Sequence, residues 1–310
     1  MRYFYHTLAG VGIAWSSQAV ALDIYADVLY WRPSESVDWA LTNSNISAAV
    51  SSYQEIAYKT IDFKFAPGFR IGAGFNKEDW LTRILYTRLH TTAHDSTEGN
   101  VVSTFMPSKF SNKFYGSAQV AFAIDMDMAD VSVAKLVRLD DAFTMKPSAG
   151  LRAGSINQTV NTRYQNSINM PPATFDPRNV LEYVTNNFTG VGPLLGLDTR
   201  WNFYQKHELT WGVIADVIAS YQWGRWSIND TLYANDGSVI GGLTVGKRDF
   251  GAFAAQGFFG IGLDCKQYHL KAGYEVSDWF NQYQVFDNGS GTHTNDLVFQ
   301  GLTVGLQYRC

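Results

Sequence analysis

The chain has 310 residues, 46% hydrophobic and 17% charged, with a formal net charge of −4. The charged share is well below the roughly 25% of ordinary soluble domains. A mildly acidic chain is also a poor match for a phosphate backbone, so no nucleic-acid partner is expected.

Residues 1–21 read as a secretory signal. Arg2 precedes the apolar run Leu8 to Trp15, and Ala19-Val20-Ala21 supplies small residues for cleavage. The mature part, 22–310, is expected to begin at Leu22 and to form one domain. No later stretch approaches the roughly 18 consecutive apolar residues of a membrane-spanning helix. An exported chain without a helical span leaves a secreted protein, a periplasmic protein or an outer-membrane β-barrel.

Past Leu22 the chain alternates large apolar with small or polar residues, the period of a strand with two unlike faces. The first strand is expected over 22–32, with Asp27 on its polar face and Trp31 near its end. The second, over 61–75, contains DFKFAPGFRIGAGFN, in which Phe63, Phe65, Phe69, Ile71 and Phe75 oppose Lys64, Arg70 and three glycines. The third, over 80–92, starts at Trp80 and mixes its faces. In the fourth, over 113–138, Asp125 and Asp127 lie opposite an apolar set running from Val120 to Met128. Its phase slips near Ala129, which predicts a β-bulge.

The fifth strand, over 143–158, sets Phe143 and Leu151 against Lys146 and Arg152. The sixth, over 187–203, sets Leu195 and Trp201 against Asp198 and Arg200. The seventh, over 208–223, runs to Trp223 with Asp216 on its other face, and the eighth covers 248–265. The ninth, over 268–280, sets Tyr268 and Tyr274 against Lys271 and Glu275; the tenth, over 296–309, ends near Tyr308.

Short links fall at Asn76 to Asp79, Leu139 to Ala142, Tyr204 to His207 and Lys266–Gln267, and long polar links fall between the other strand pairs. Tight turns on one side and long loops on the other, joining strands longer than the 9–11 residues that cross a bilayer, predict an all-β transmembrane antiparallel up-and-down barrel. Ten strands are expected, or twelve if WSINDTLYA (Trp226 to Ala234) and its surroundings add a hairpin. In lipid the apolar face turns outward and the polar face lines the lumen.

The expected lumen residues are Asp27, Lys64, Arg70, Asp125, Asp127, Lys146, Arg152, Asp198, Arg200, Asp216, Lys271 and Glu275. They mix acids and bases, so they could line a water-filled path or pair across the lumen and plug it. Aromatic girdles are expected at Phe75, Trp80, Phe143, Trp201, Tyr268 and Tyr308 beside the short turns, and at Trp31, Trp223, Trp226, Phe188 and Trp279 beside the long loops. Outer-membrane lipid is the expected surrounding partner.

LYWRP (Leu29 to Pro33), APGFRIGAGFN (Ala66 to Asn76), KPSAGLRAGSINQ (Lys146 to Gln158), FTGVGPLLGLDTRW (Phe188 to Trp201), WFNQYQ (Trp279 to Gln284) and QGLTVGLQY (Gln300 to Tyr308) resemble the Legionella-type major outer membrane protein family. The resemblance implies a pore-forming outer-membrane protein that passes small hydrophilic solutes or ions by passive diffusion. A closed surface protein or adhesin acting through its loops is the alternative. It also implies insertion by the barrel-assembly machinery, although here the terminal aromatic, Tyr308, lies two residues before the end.

Other chemistry is sparse. Cys265 and Cys310, both expected at the periplasmic rim, could form a disulfide or remain free. His90, His94, Asp95 and Ser96 fall at the outer end of a strand, where solvated loop residues are the ordinary reading. No enzymatic activity, cofactor or metal is expected.

Overall fold

The structure, a computed structural model, describes residues 21–43, 56–105, 114–168, 178–248, 250–287 and 291–310. Among them are strands β1 (Ala21–Ser34), β2 (Asp38–Asn43), β3 (Ile56–Thr60), β4 (Ala66–Lys77), β5 (Trp80–Ser103), β6 (Tyr115–Lys135) and β7 (Val137–Arg138). The rest are β8 (Phe143–Ser167), β9 (Val180–Lys206), β10 (Leu209–Ala234), β11 (Val239–Arg248), β12 (Gly251–Cys265), β13 (Tyr268–Asp287) and β14 (Gly291–Arg309). The predicted signal segment lies outside the described residues, apart from Ala21, which opens β1.

Ten strands close into an antiparallel barrel in the order β1, β4, β5, β6, β8, β9, β10, β12, β13, β14, and β14 pairs back onto β1. The twelve-strand alternative is excluded. Trp226 to Ala234 is the outer end of β10, still paired with β9, and β11 folds back on it without joining β12. The hairpin β2–β3 attaches to the outer end of β5.

Three connections at the inner end are two-residue turns, closed by the pairs Lys77–Trp80, Lys206–Leu209 and Cys265–Tyr268. Their first residues, Glu78, His207 and Lys266, have φ of 56°, 52° and 54°, a left-handed conformation that costs a side-chain-bearing residue roughly 1–2 kcal/mol. Chain closure of a tight hairpin outweighs that cost here. In the fourth, the Asp140 carboxylate accepts the backbone N–H groups of Ala142 and Phe143 at 2.8 and 2.6 Å.

The strands are far longer than a bilayer needs. β9 has 27 residues, about 90 Å at 3.3 Å per residue, against about 9–11 residues for a crossing. The two ends of these strands meet different solvents, and the sequence pattern inverts where the solvent changes. In the inner part, apolar side chains point out: Val28, Leu151, Leu195, Val217 and Phe259 are 58–66% exposed around the circumference. In the outer part, polar residues such as Asn157, Thr159 and Ser227 point out, while Phe122, Val160, Tyr164 and Trp279 pack a buried interior.

This inversion corrects the predicted bulge in β6. Pairing of β6 with β8 runs without interruption from Ser117 to Ala134. Val120 to Met128 and Val131 to Val133 lie on opposite faces because the apolar face moves from inside to outside at Ala129. The predicted start of the second strand is also corrected. Residues 61–65 precede β4, and Ile61 and Phe63 turn into the outer core, where the Phe63 ring lies 5.1 Å from Phe122.

Glycines on the inner face serve close strand packing. A Cβ on Gly192 would sit 1.9 Å from the Tyr221 carbonyl oxygen, and one on Gly150 2.1 Å from that of Val131. The lumen space that these glycines would otherwise leave is already taken by neighbouring backbone.

Candidate functional site

The inner half of the lumen holds a layer of paired charges. Arg70 on β4 is its centre. Its Nη2 donates to Glu275 Oε1 at 2.9 Å, its Nε to Thr87 Oγ1 at 3.0 Å, and its Nη1 approaches Asp27 Oδ2 at 3.4 Å. Lys271 Nζ completes the pairing of Asp27 at 3.0 Å. Arg152 on β8 forks onto Asp130 of β6 at 2.7 and 2.8 Å. Gln256 of β12 joins the two clusters, accepting from Arg152 at 3.1 Å and donating to Glu275. Buried ions are tolerated only when paired and hydrogen-bonded, and each ion of these two clusters has a partner.

Below this layer the cavity opens toward the periplasmic rim. It has a volume of about 150 Å³ and is lined by Arg83, Lys146, Asp198, Asp216, Lys271 and Arg200 among others. Lys146, Asp198 and Asp216 lie side by side on β8, β9 and β10, since Asp198 is the register partner of both. Arg83 donates to Asp198 at 3.2 Å, and Arg200 pairs with Asp264 at 2.7 Å, which also meets His269 at 2.7 Å.

Above the layer the lumen turns dry. The Trp31 indole N–H donates to Thr303 Oγ1 at 3.1 Å, and that hydroxyl donates to Glu275 Oε2 at 2.6 Å. The Arg70 guanidinium lies 5.7 Å from the Trp31 ring centroid. Trp31 is therefore the roof of the charged layer and the floor of the packed outer half. Over it Phe299, Leu89, Phe122, Tyr283 and Trp279 form one buried cluster.

Of the expected lumen residues, Asp27, Arg70, Lys146, Arg152, Asp198, Arg200, Asp216, Lys271 and Glu275 face inward. Lys64, Asp125 and Asp127 do not. Lys64 is exposed in the segment before β4, and Asp125 and Asp127 point outward in the water-facing part of β6, beside His90 and Arg88. They fall on the outer surface because the strand has left the membrane, where the polar face is the outside one.

Among the girdle residues, Phe75, Trp80, Trp201, Trp223 and Tyr268 are outward and 36–62% exposed, and the Tyr308 ring lies tilted against that of Tyr268, centroids 5.2 Å apart. Phe143 lies on the same outward face of β8. Trp31, Trp226, Trp279 and Phe188 are no more than 2% exposed and belong to the interior, for the same reason as the aspartates.

Sequence reasoning missed Arg83, Asp130, Asp264, Gln256 and Thr303. Arg83 was recoverable from the hairpin register, because Phe75–Thr82 pairing places Thr82 outside and Arg83 inside. Both cysteines are free in the structure, Cys265 at the end of β12 and Cys310 after β14, with β13 between the two strands. His90 Nδ1 meets Asp125 Oδ1 at 2.7 Å on the outer wall.

A closed barrel with an outward apolar belt and a charged interior defines an outer-membrane β-barrel protein. The described part of the chain contains no helix long and apolar enough to span a membrane. The family described as Legionella pneumophila major outer membrane protein precursor matches residues 15–310, and the chain belongs to that family. Its place is accordingly the outer membrane. No curated protein matches by sequence.

Solved structures that resemble it include the outer membrane protease OmpT of Escherichia coli, at 14% identity and TM-score 0.45, over 94% of this chain and 96% of that one. The transport unit of the autotransporter AIDA-I of Escherichia coli matches at 8% identity and TM-score 0.27, over 97% and 93%. The toluene transporter TodX of Pseudomonas putida matches at 8% identity and TM-score 0.25, over 95% and 90%.

Proposed function

We propose that this barrel is a porin-like protein, not an enzyme, that passes small hydrophilic solutes or ions by passive diffusion. The observation that carries this reading is the cavity inside the barrel, reaching Gln307 and Arg309 near the inner end and lined by side chains of both signs of charge. Water and ions enter such a space readily, and rings of charge set which ions dwell there. The layer around Arg70, the roof at Trp31 and the packed side chains above it all obstruct the axis, so conductance is small.

A second reading, a closed barrel that works through its outer surface, is favoured by the packed interior above Trp31. Single-channel recording in a planar bilayer decides between them. The porin reading expects small, stable conductance steps that grow at least twofold in Trp31→Ala, because that roof side chain obstructs the axis. Silence from a correctly folded wild type and from Trp31→Ala would favour the closed barrel.

A further inference from the structure

The buried charges of the two halves differ in kind. In the inner half acids and bases alternate around the layer. In the outer half the buried charged side chains, among the described residues, are Glu35, Glu182 and Asp230, at 7%, 0% and 8% exposure, and all are acidic.

Glu35, just past β1, accepts from Gln158 Nε2 on both carboxyl oxygens at 2.8 and 2.7 Å, and Gln158 Oε1 in turn accepts from Asn186 at 2.8 Å. Glu182 on β9 accepts from Ser103 Oγ at 2.8 Å and Tyr164 OH at 3.1 Å, while its Oε1 has no partner. Asp230 on β10 leaves Oδ1 without a partner beside a small cavity lined by Phe105, Val184, Ile228, Leu243, Val245 and Gln284. Among the described residues, the charged or titratable groups facing these carboxyls are one another, Tyr164 from β8 and Tyr283 from β13. None of the three has an ion pair with a described Lys, Arg or His. Gln282 and Tyr283 add buried polar atoms without partners to the same interior.

An unpaired ionised carboxylate is expensive in a dry interior, so the packed outer half is a protonated state. We propose that Glu35, Glu182 and Asp230 form a proton-titrated gate, closed when neutral and, when ionised, hydrated, open and selective for cations. This rests on the porin reading and adds its regulation. Ionisation would give the buried charged side chains of the outer half, among the described residues, a single negative sign, which draws cations and repels anions.

The thermodynamic direction agrees. Burial pushes Glu35 up to about 8, against the opposing pull of Gln158, and pushes Asp230 up to about 7. Glu182 is raised by burial first and then by the charge of Asp230. A carboxyl that titrates higher in the packed state than in water supports packing at low pH and withdraws that support as pH rises through the packed value. The plug is therefore tight in acid and loosens on the alkaline side.

The test compares the wild type with the combined Glu35→Gln, Glu182→Gln, Asp230→Asn variant in planar bilayers of neutral lipid at several pH values from 6 to 9. The wild type is expected to gain at least threefold in conductance or open fraction across that range, with a reversal potential moving toward the cation value. The variant is expected to show a flat response. A parallel readout, acrylamide quenching of tryptophan emission in micelles, should rise with pH in the wild type alone as Trp39 and Trp279 become wet. Steps that ignore pH, or a variant that keeps the wild-type response, would overturn the gate and leave the porin reading standing. Silence at every pH, with the quenching change present only in the wild type, would overturn the porin reading and keep the proton-linked plug. Should the combined variant fail to assemble, Asp230→Asn alone must weaken the pH response, and an unchanged response counts against the gate.

Discussion

On β8, Leu151 and Ala153 face out and Arg152 faces in; further along the same strand, Asn157 and Thr159 face out while Gln158 and Val160 face in. The backbone is continuous through both and the register with β9 never shifts. What changes is the solvent on the outside. Within hydrocarbon, the side chain that avoids water must point outward, and the interior is left to polar groups that pair with one another. Beyond it, the same wall stands in water and buries its apolar residues like any soluble sheet. The molecule is thus an inverted barrel continued by an ordinary one, joined near Trp31, Ala129 and Ala153.

The sharpest way to break this contrast is at the paired layer. Arg70→Ala strands Asp27 and Glu275 without their shared guanidinium, and removing one partner of a buried pair costs about 3–5 kcal/mol. Urea unfolding in lipid vesicles should report a loss of that size; a loss below 1 kcal/mol would mean that water already solvates the layer. Next comes the belt. Leu195→Arg puts a charge on the lipid face and is expected to cost about 2–4 kcal/mol, whereas Thr189→Arg, on the outward face of the same strand but above the belt, should be nearly neutral. Equal costs by the same unfolding assay would move the membrane boundary from where the polarity inverts.

A milder test concerns the dry half. Val160→Ala removes two methyl groups from a position 1% exposed and should cost about 1–2 kcal/mol. Thr159→Ala, its outward neighbour, should change stability by less than 0.5 kcal/mol. The smallest effects belong to the inner turns. Glu78→Gly, His207→Gly or Lys266→Gly relieves a left-handed backbone and should raise stability by up to about 1 kcal/mol. A loss in all three would show that the turn side chains make compensating contacts.

Much of the fold was legible before any coordinate. Alternation through Phe69, Ile71 and Phe75, or through Leu302, Val304 and Leu306, needs only a period of two and a nearby tight turn, both of which are local. The inward placement of Arg70, Arg152, Lys271 and Glu275 followed from the same period. The misplacements share one cause. Asp125, Asp127, Trp31, Trp226 and Trp279 were assigned faces by a rule that holds only inside hydrocarbon, and each lies on the outer side of the point where its strand leaves it. Lys64 failed for a second reason: its alternating neighbours are not in a strand at all.

The amino-acid order by itself determined that the chain makes long two-faced strands joined by short turns at one end, because steric alternation and turn closure act between near neighbours. Where along each strand the faces exchange roles, which charges meet across the lumen, and that Trp31 roofs them were decided only by the closed barrel. Those depend on the depth of each residue relative to the membrane and on partners such as Arg70 and Glu275, distant in sequence and brought together by strand registers that accumulate around the ring.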